Sequence, residues 1–202
     1  MRKKNLEQKL QKVESFEEPE AELEQYRTPP SIASILLWSA YLQGDIENRK
    51  IYDLGCGTGI LAIGARLLGA SKVIAIDGDS KAIEQARGNS EKLSVDVDFR
   101  VEDINEVKGK GDTVVQNPPF GSQKKGNDRP FIERALGIAS VVYSMHLTQT
   151  DDFIQNFVRE QGAKVDEKVP VSLELPRSMP WHEKKRETIN VTIYRLVKRD
   201  EL

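Results

Sequence analysis

Short apolar runs and amphipathic stretches alternate along this chain from residue 50 onward. Lys50–Asp53 and Lys72–Asp77 read as strands, the second rich in β-branched residues. Val97–Val101, Asp112–Val115 and Val141–His146 follow the same pattern. Between them apolar positions recur with helical spacing, predicting helices over Thr58–Gly69, Asp79–Asn89, Asp128–Ala139 and Thr148–Gln161. Asp79 is an expected N-cap, and Gly69 marks an expected helix end. The last quarter breaks the alternation: Lys164–Leu175 and Thr188–Val197 are two long strands joined by residues Pro176–Arg186. Strands alternating with helices argue an α/β fold with a parallel sheet covered on both faces. The final two strands read as an antiparallel pair closing that sheet.

The first fifty residues follow a different pattern. Leu6, Leu10 and Val13 recur at spacings of four and three, predicting a short charged helix within residues 1–15. An amphipathic strut against the domain and a contact for a partner or RNA both satisfy that pattern. Glu17-Glu18-Pro19 breaks it. Residues Leu23–Pro30 read as a loop, because proline restricts both itself and the residue before it. Ser31 is the expected cap of a helix carrying Ile32, Ile35, Leu36 and Leu37.

The chain has 202 residues, 38% hydrophobic and 31% charged, which suits one globular domain with a sizeable core. A net charge of −2 carries no general signature of nucleic-acid binding, so such a partner must be argued from local patches. Cys56 is the only cysteine, which excludes an intramolecular disulfide and a Cys-rich zinc site. No apolar run reaches the length of a membrane span, and the N-terminus lacks the apolar core of a signal peptide. The expected compartment is the cytoplasm, with no metal and no membrane partner.

Chemistry concentrates at the C-terminal ends of the predicted strands. Asp53-Leu54-Gly55-Cys56-Gly57-Thr58-Gly59 joins a strand to a helix through a glycine-rich turn. Glycines let the backbone bend sharply and approach a ligand closely, and free N–H groups at the helix start attract anionic groups. The spacing Gly-x-Gly-x-Gly differs from the dinucleotide fingerprint Gly-x-Gly-x-x-Gly. Asp77 ends the next strand, where a carboxylate accepts hydrogen bonds from ribose hydroxyls. Asp103 follows the third strand and is placed to accept from an adenine amino group, with the Ile104 backbone beside it. Asp53 is placed to face a positive part of the ligand. Singly, each of these is also a plain turn or cap; as an ordered set after successive strands they describe a nucleoside site.

After the fourth predicted strand comes Asn117-Pro118-Pro119-Phe120. An exocyclic amine on a base is a poor nucleophile because its lone pair is delocalised into the ring. The Asn117 side-chain oxygen and the Pro118 carbonyl supply two acceptors for its hydrogens, already aimed before the reaction. Pro118 and Pro119 limit backbone freedom, and Phe120 is expected to stack on the flat substrate. With a methyl donor in the glycine site, the pair predicts an enzyme that methylates nitrogen. Two basic segments lie outside this cup, around Lys124 and Lys125 and at Lys184, Lys185 and Arg186. Each reads either as a grip on an RNA backbone or as a solvated loop.

These motifs resemble class I S-adenosylmethionine-dependent methyltransferases, and more closely the methyltransferase-like protein five family and its archaeal relatives. The likeness runs through residues 23–29, Asp53–Gly59, Asn117–Gly121, Val142–His146 and His182–Lys185. It implies a Rossmann-like core with a seven-stranded, mainly parallel sheet and N6-methylation of one adenosine in small-subunit ribosomal RNA. It further implies that Gln25 and Thr28 touch S-adenosyl-L-methionine from the N-terminal loop. Gly55, Thr58, Ile60, Asp77, Asp103 and Ile104 would line its pocket, with Thr58 standing where some relatives carry cysteine. A small zinc-containing activator pairing with a sheet edge is the implied protein partner. The expected organisation is a single domain, 1–49 holding the N-terminal helices and donor-covering loop and 50–202 the core. Guanine N2 in RNA, adenine in DNA and a protein glutamine are alternative acceptors for such a cup. The short N-terminus and the lack of a recognition domain argue against the last two. A non-catalytic RNA-binding scaffold is the rival of a different class, opposed by the intact cup and glycine turn.

Overall fold

The computed structural model describes residues 1–17, 19–20, 25, 27–120, 128–176 and 186–199, with backbone alone for 173–176 and 186–187. Five parallel-sheet strands appear in chain order: β1 (Lys50–Leu54), β2 (Lys72–Asp77), β3 (Asp98–Val101), β4 (Thr113–Gln116) and β5 (Val141–Leu147). Two long strands, β6 (Ala163–Pro176) and β7 (Arg186–Lys198), complete a seven-stranded sheet of order β3-β2-β1-β4-β5-β7-β6. β7 lies antiparallel to both β5 and β6, as the strand-only ending predicts. Because β1 pairs with both β2 and β4, the connection order reverses beside it. Open α/β sheets bind ligands at such a switch point, outside the carboxyl ends of the strands.

Among the described residues six α-helices cover the sheet: α1 (Lys3–Leu10), α2 (Pro30–Leu42), α3 (Ile60–Leu67), α4 (Ser80–Lys92), α5 (Arg129–Ile138) and α6 (Asp151–Glu160). Strand alternation divides the core between the two faces. Ile51 of β1 packs with Leu6 of α1, Leu36 of α2, Ile63 of α3 and Ile83 of α4. Its neighbours Tyr52 and Leu54 pack on the other side with Ile132 of α5 and Ile154 of α6. Leu6, Leu10 and Val13 are fully buried, so the N-terminal helix is a strut of the main core.

Three helix starts differ by two residues or more from the sequence expectation, one of them α6, which begins at Asp151 after a 3₁₀ turn over Thr148–Thr150 rather than at Thr148. α2 begins at Pro30, one residue before the predicted Ser31 cap, because proline fits the first helical position, where no N–H bond is lost. α3 begins at Ile60 rather than Thr58, because Gly59 holds a left-handed conformation with φ of 86°. α4 runs on to Lys92, and its N-cap Asp79 accepts from the Lys81 N–H, as expected.

The C-terminal pair is tied to the rest by a polar cluster. Arg195 on β7 donates to Asp45 at 3.0 Å and to Asp166 at 2.6 Å, and Tyr143 donates to Asp45 at 2.7 Å. A bulge between Val165 and Glu167 sets Asp166 apart from the regular register.

Candidate functional site

A cleft of about 650 Å³ opens at the carboxyl ends of β1, β2 and β4. That size falls in the range of small-molecule sites. Its floor is the glycine turn, where Gly55, Gly57 and Gly59 have φ of 68°, 51° and 86°. The N–H groups of Gly55 and Cys56 both donate to Ile76 O, at 2.8 and 2.9 Å, fastening the turn to β2. A Cβ on Gly55 would lie 2.9 Å from the Phe131 ring, and one on Gly57 2.9 Å from the Phe16 ring. Glycine is therefore required by conformation and by space together.

Three acids organise this floor. Asp53 is 1% exposed, and its Oδ2 accepts from the Ala62 N–H at 2.9 Å. It thereby satisfies a first-turn donor of α3 that the N-cap glycine cannot serve. Its Oδ1 is buried without a hydrogen-bond partner among the described residues. Burial, with a lesser contribution from the Asp77 charge, pushes the Asp53 carboxyl up to about 8, while the Ala62 N–H acts in the opposite sense. Asp77 accepts from the Gly57 N–H at 2.8 Å through Oδ2 and from the Asp79 N–H at 3.0 Å through Oδ1. Burial raises its pKa, and these backbone donors partly offset the rise. Asp103 takes the backbone N–H and side-chain amide of Asn105 on one oxygen, at 2.8 and 2.9 Å.

The N-terminal segment forms the cleft's outer wall. Asn89 of α4 donates to Thr58 O at 3.0 Å and to Glu14 O at 3.1 Å, and accepts from the Glu14 N–H at 2.9 Å. Gln85 also bonds this segment, through Ser15 O and the Glu17 N–H. These bonds hold Phe16 over Gly57. Gln25 donates to Asp79 Oδ2 at 2.7 Å. Thr28, 6% exposed, accepts from Asn117 Nδ2 at 3.0 Å.

The residues named from sequence converge well. Gln25, Thr28, Asp53, Gly55, Gly57, Thr58, Ile60, Asp77, Asp103, Ile104, Asn117, Pro118 and Pro119 all line the cleft. Gly59 stands behind the wall, where its Cβ would meet Ala86 and Phe99. Phe120, the next residue of the cup, is partly buried against the main core. The aromatic ring in that wall is Phe131, and Phe16 lines the cleft from the N-terminal side. Both escaped sequence reasoning, since nothing in their local pattern distinguishes them from core phenylalanines. Lys124, Lys125, Lys184 and Lys185 lie outside the described residues, as does the side chain of Arg186.

The cleft suits a ligand with an adenosine end and a cationic end. Its wall carries Asp53, Asp77, Asp79, Glu102 and Asp103. The orphaned Asp53 oxygen is a buried acceptor that a cation would satisfy. The residues present therefore fit S-adenosyl-L-methionine.

Comparison with known proteins agrees. Residues 34–118 match the family model for ribosomal protein L11 methyltransferase (PrmA), a span that runs from α2 to the cup. The chain is 38% identical to the rRNA N(6)-adenosine-methyltransferase METTL5 of Danio rerio, over 96% of this chain and 98% of that one. An uncharacterized protein of Methanocaldococcus jannaschii is 39% identical over 98% of this chain and 95% of its own length. The crystal structure of a candidate RNA methyltransferase from Pyrococcus horikoshii superposes with a TM-score of 0.92, at 43% identity and 98% coverage of both chains.

Proposed function

Since this chain belongs to the METTL5 family of rRNA N6-adenosine methyltransferases, we propose that it moves a methyl group from S-adenosyl-L-methionine to adenine N6 in small-subunit ribosomal RNA. The observation that carries this reading is the shared cleft: Asn117, Pro118 and Pro119 line the same cavity as the glycine turn, Asp77 and Asp103. Acceptor cup and donor site are thus within one ligand's length of each other.

Bound S-adenosyl-L-methionine supplies an electrophilic methyl on a sulfonium. Asp77 would receive the ribose hydroxyls, and Asp103 with the Ile104 backbone the adenine. Asp53 faces the cationic end, and its ionised form is favoured there. Gln25 and Thr28 bound the donor from the N-terminal side. Asn117 Oδ1 and the Pro118 carbonyl would accept the two hydrogens of N6, leaving its lone pair to take the methyl as the S–CH₃ bond breaks and S-adenosyl-L-homocysteine departs. Pro119 stiffens the cup, and Phe120 braces it from the core side. No general base is required before transfer, because the proton leaves from the cationic product amine. The target base must be unstacked or single-stranded to enter. Lys124, Lys125, Lys184, Lys185 and Arg186 are the proposed grips on the RNA strand.

A small zinc-containing activator is the proposed protein partner, docking by strand addition. β3 ends the sheet on the donor side with Val101 54% exposed, the kind of edge that accepts another strand. No described helix is long and apolar enough to cross a membrane. We place the protein in the cytoplasm, with its ribosomal substrate.

Transfer of labelled methyl from the donor to ribosomal RNA, followed by nucleoside analysis, tests the reading. Label on N6-methyladenosine is the expected result. Label on N2-methylguanosine, or only on protein, overturns it.

A further inference from the structure

The reading of Asn117 as an acceptor for the target amine leaves one requirement open, and the inference here rests on that reading. A carboxamide has a donor edge and an acceptor edge of nearly equal shape. Rotated by half a turn, Asn117 would offer an NH₂ group to the substrate amine, and two donors would face each other. The carboxamide must be held with its acceptor edge toward the substrate.

We propose that Thr28 positions the Asn117 carboxamide: its hydroxyl oxygen receives the amide NH₂ and holds the amide plane with Oδ1 on the substrate side. Asn117 Nδ2 donates to Thr28 Oγ1 at 3.0 Å, across a sequence separation of 89 residues. Because the amide is planar, the edge carrying Oδ1 is directed away from Thr28. Thr28 is 6% exposed, so water competes poorly for this bond.

Thr28 is itself held from both sides. Arg27 donates through Nη2 to Leu10 O at 3.1 Å and Gln11 O at 3.4 Å, on the last carbonyls of α1. Pro29 has φ of −57° and ψ of 140°, and its carbonyl accepts from the Ala33 N–H at 2.9 Å in the first turn of α2. The segment carrying Thr28 is thus tied to the end of α1 and the start of α2 rather than to the cup it serves. Gln25, three residues earlier, is bonded to Asp79 beside the donor floor at 2.7 Å. One N-terminal segment therefore spans the donor subsite and the acceptor subsite. Thr28 is a positioning residue: it acts on the reaction through Asn117.

The test compares Thr28→Val, Thr28→Ala and Thr28→Ser with Asn117→Ala. Single-turnover methyl transfer is measured at saturating donor and RNA, and donor affinity by calorimetry. Valine keeps the shape of threonine without an acceptor, and serine keeps the acceptor. We expect Thr28→Val and Thr28→Ala to transfer about 10- to 100-fold more slowly at saturating donor, whatever donor affinity is lost with the Thr28 wall contact, the scale of loss from a misplaced reacting group. Thr28→Ser is expected to recover most of the rate. Parent-like rates for Thr28→Val and Thr28→Ala beside a slow Asn117→Ala overturn the inference alone. A loss confined to donor affinity, with the saturated rate unchanged, also overturns it. Parent-like transfer by Asn117→Ala instead removes the underlying reading of the cup. Thr28→Ala guards against misfolding of the valine variant, since calorimetric donor binding reports an intact cleft.

Discussion

Asp53 Oδ2 accepts from the Ala62 N–H at 2.9 Å, while its second oxygen sits buried without a partner among the described residues. One carboxylate thus serves the fold with one oxygen, and in the proposed function it keeps the other for the donor's cationic end. Burial pushes the pKa of this half-satisfied group up to about 8, with Asp77 adding a smaller push.

The first prediction follows from that shift. A carboxyl whose folded pKa is raised binds a proton that the unfolded chain has already released. Stability of the donor-free protein should therefore fall as pH rises from about 4 to about 8, by at most about 1.4 kcal/mol per pH unit from this group. Donor binding favours the ionised form, so affinity should rise over the upper part of that window and level off above about 8. Asp53→Asn should flatten both profiles and weaken donor binding about tenfold or more. Thermal melts and calorimetry at several pH values read both.

Asp77 joins the glycine turn to the cap of α4 through the Gly57 and Asp79 N–H groups. Asp77→Ala removes these acceptors and, with them, the proposed ribose contact. Donor affinity should fall about 10- to 100-fold, since hydrogen bonds to charged groups contribute about 1.5–3 kcal/mol each. Calorimetric titration showing parent affinity would reject the assignment.

Gly57 combines φ of 51° with a Phe16 ring that would stand 2.9 Å from any Cβ added there. Gly57→Ala should cost about 1–2 kcal/mol in backbone strain and displace Phe16 from the cleft wall. Phe16→Ala in the same background should relieve the clash but not the strain. Melting temperature and donor affinity of the single and double variants separate the two contributions.

Arg195 offers a control remote from the cleft. Its side chain is 15% exposed and bonds Asp45, Tyr143 and Asp166. Arg195→Met should destabilise by about 2–3 kcal/mol, because Asp45 loses its cation in a poorly hydrated site. Donor affinity in the folded protein should be unchanged. Chemical denaturation and calorimetry measure the two effects.

Local patterning by itself determined much of this protein. Strand and helix periods located all seven strands, because each apolar run reports only whether its own backbone is extended or coiled. The glycine turn, Asp77, Asp103 and Asn117 were legible because parallel α/β folds bring ligand residues to strand ends, wherever the strands stand in the sheet. Helix starts at residues 30 and 60 were less legible, since proline at the first position and a left-handed Gly59 override the usual caps. Tertiary structure alone brought the rings of Phe131 and Phe16 to the cleft. It alone brought Asn89 to Glu14 and Thr28 to Asn117, over separations of 75 and 89 residues. It also decided the protonation of Asp53, which depends on burial and on a neighbouring charge from another strand. Periodicity encodes what a residue does along its own element; contacts between elements, and the electrostatics they create, exist only once the chain has packed.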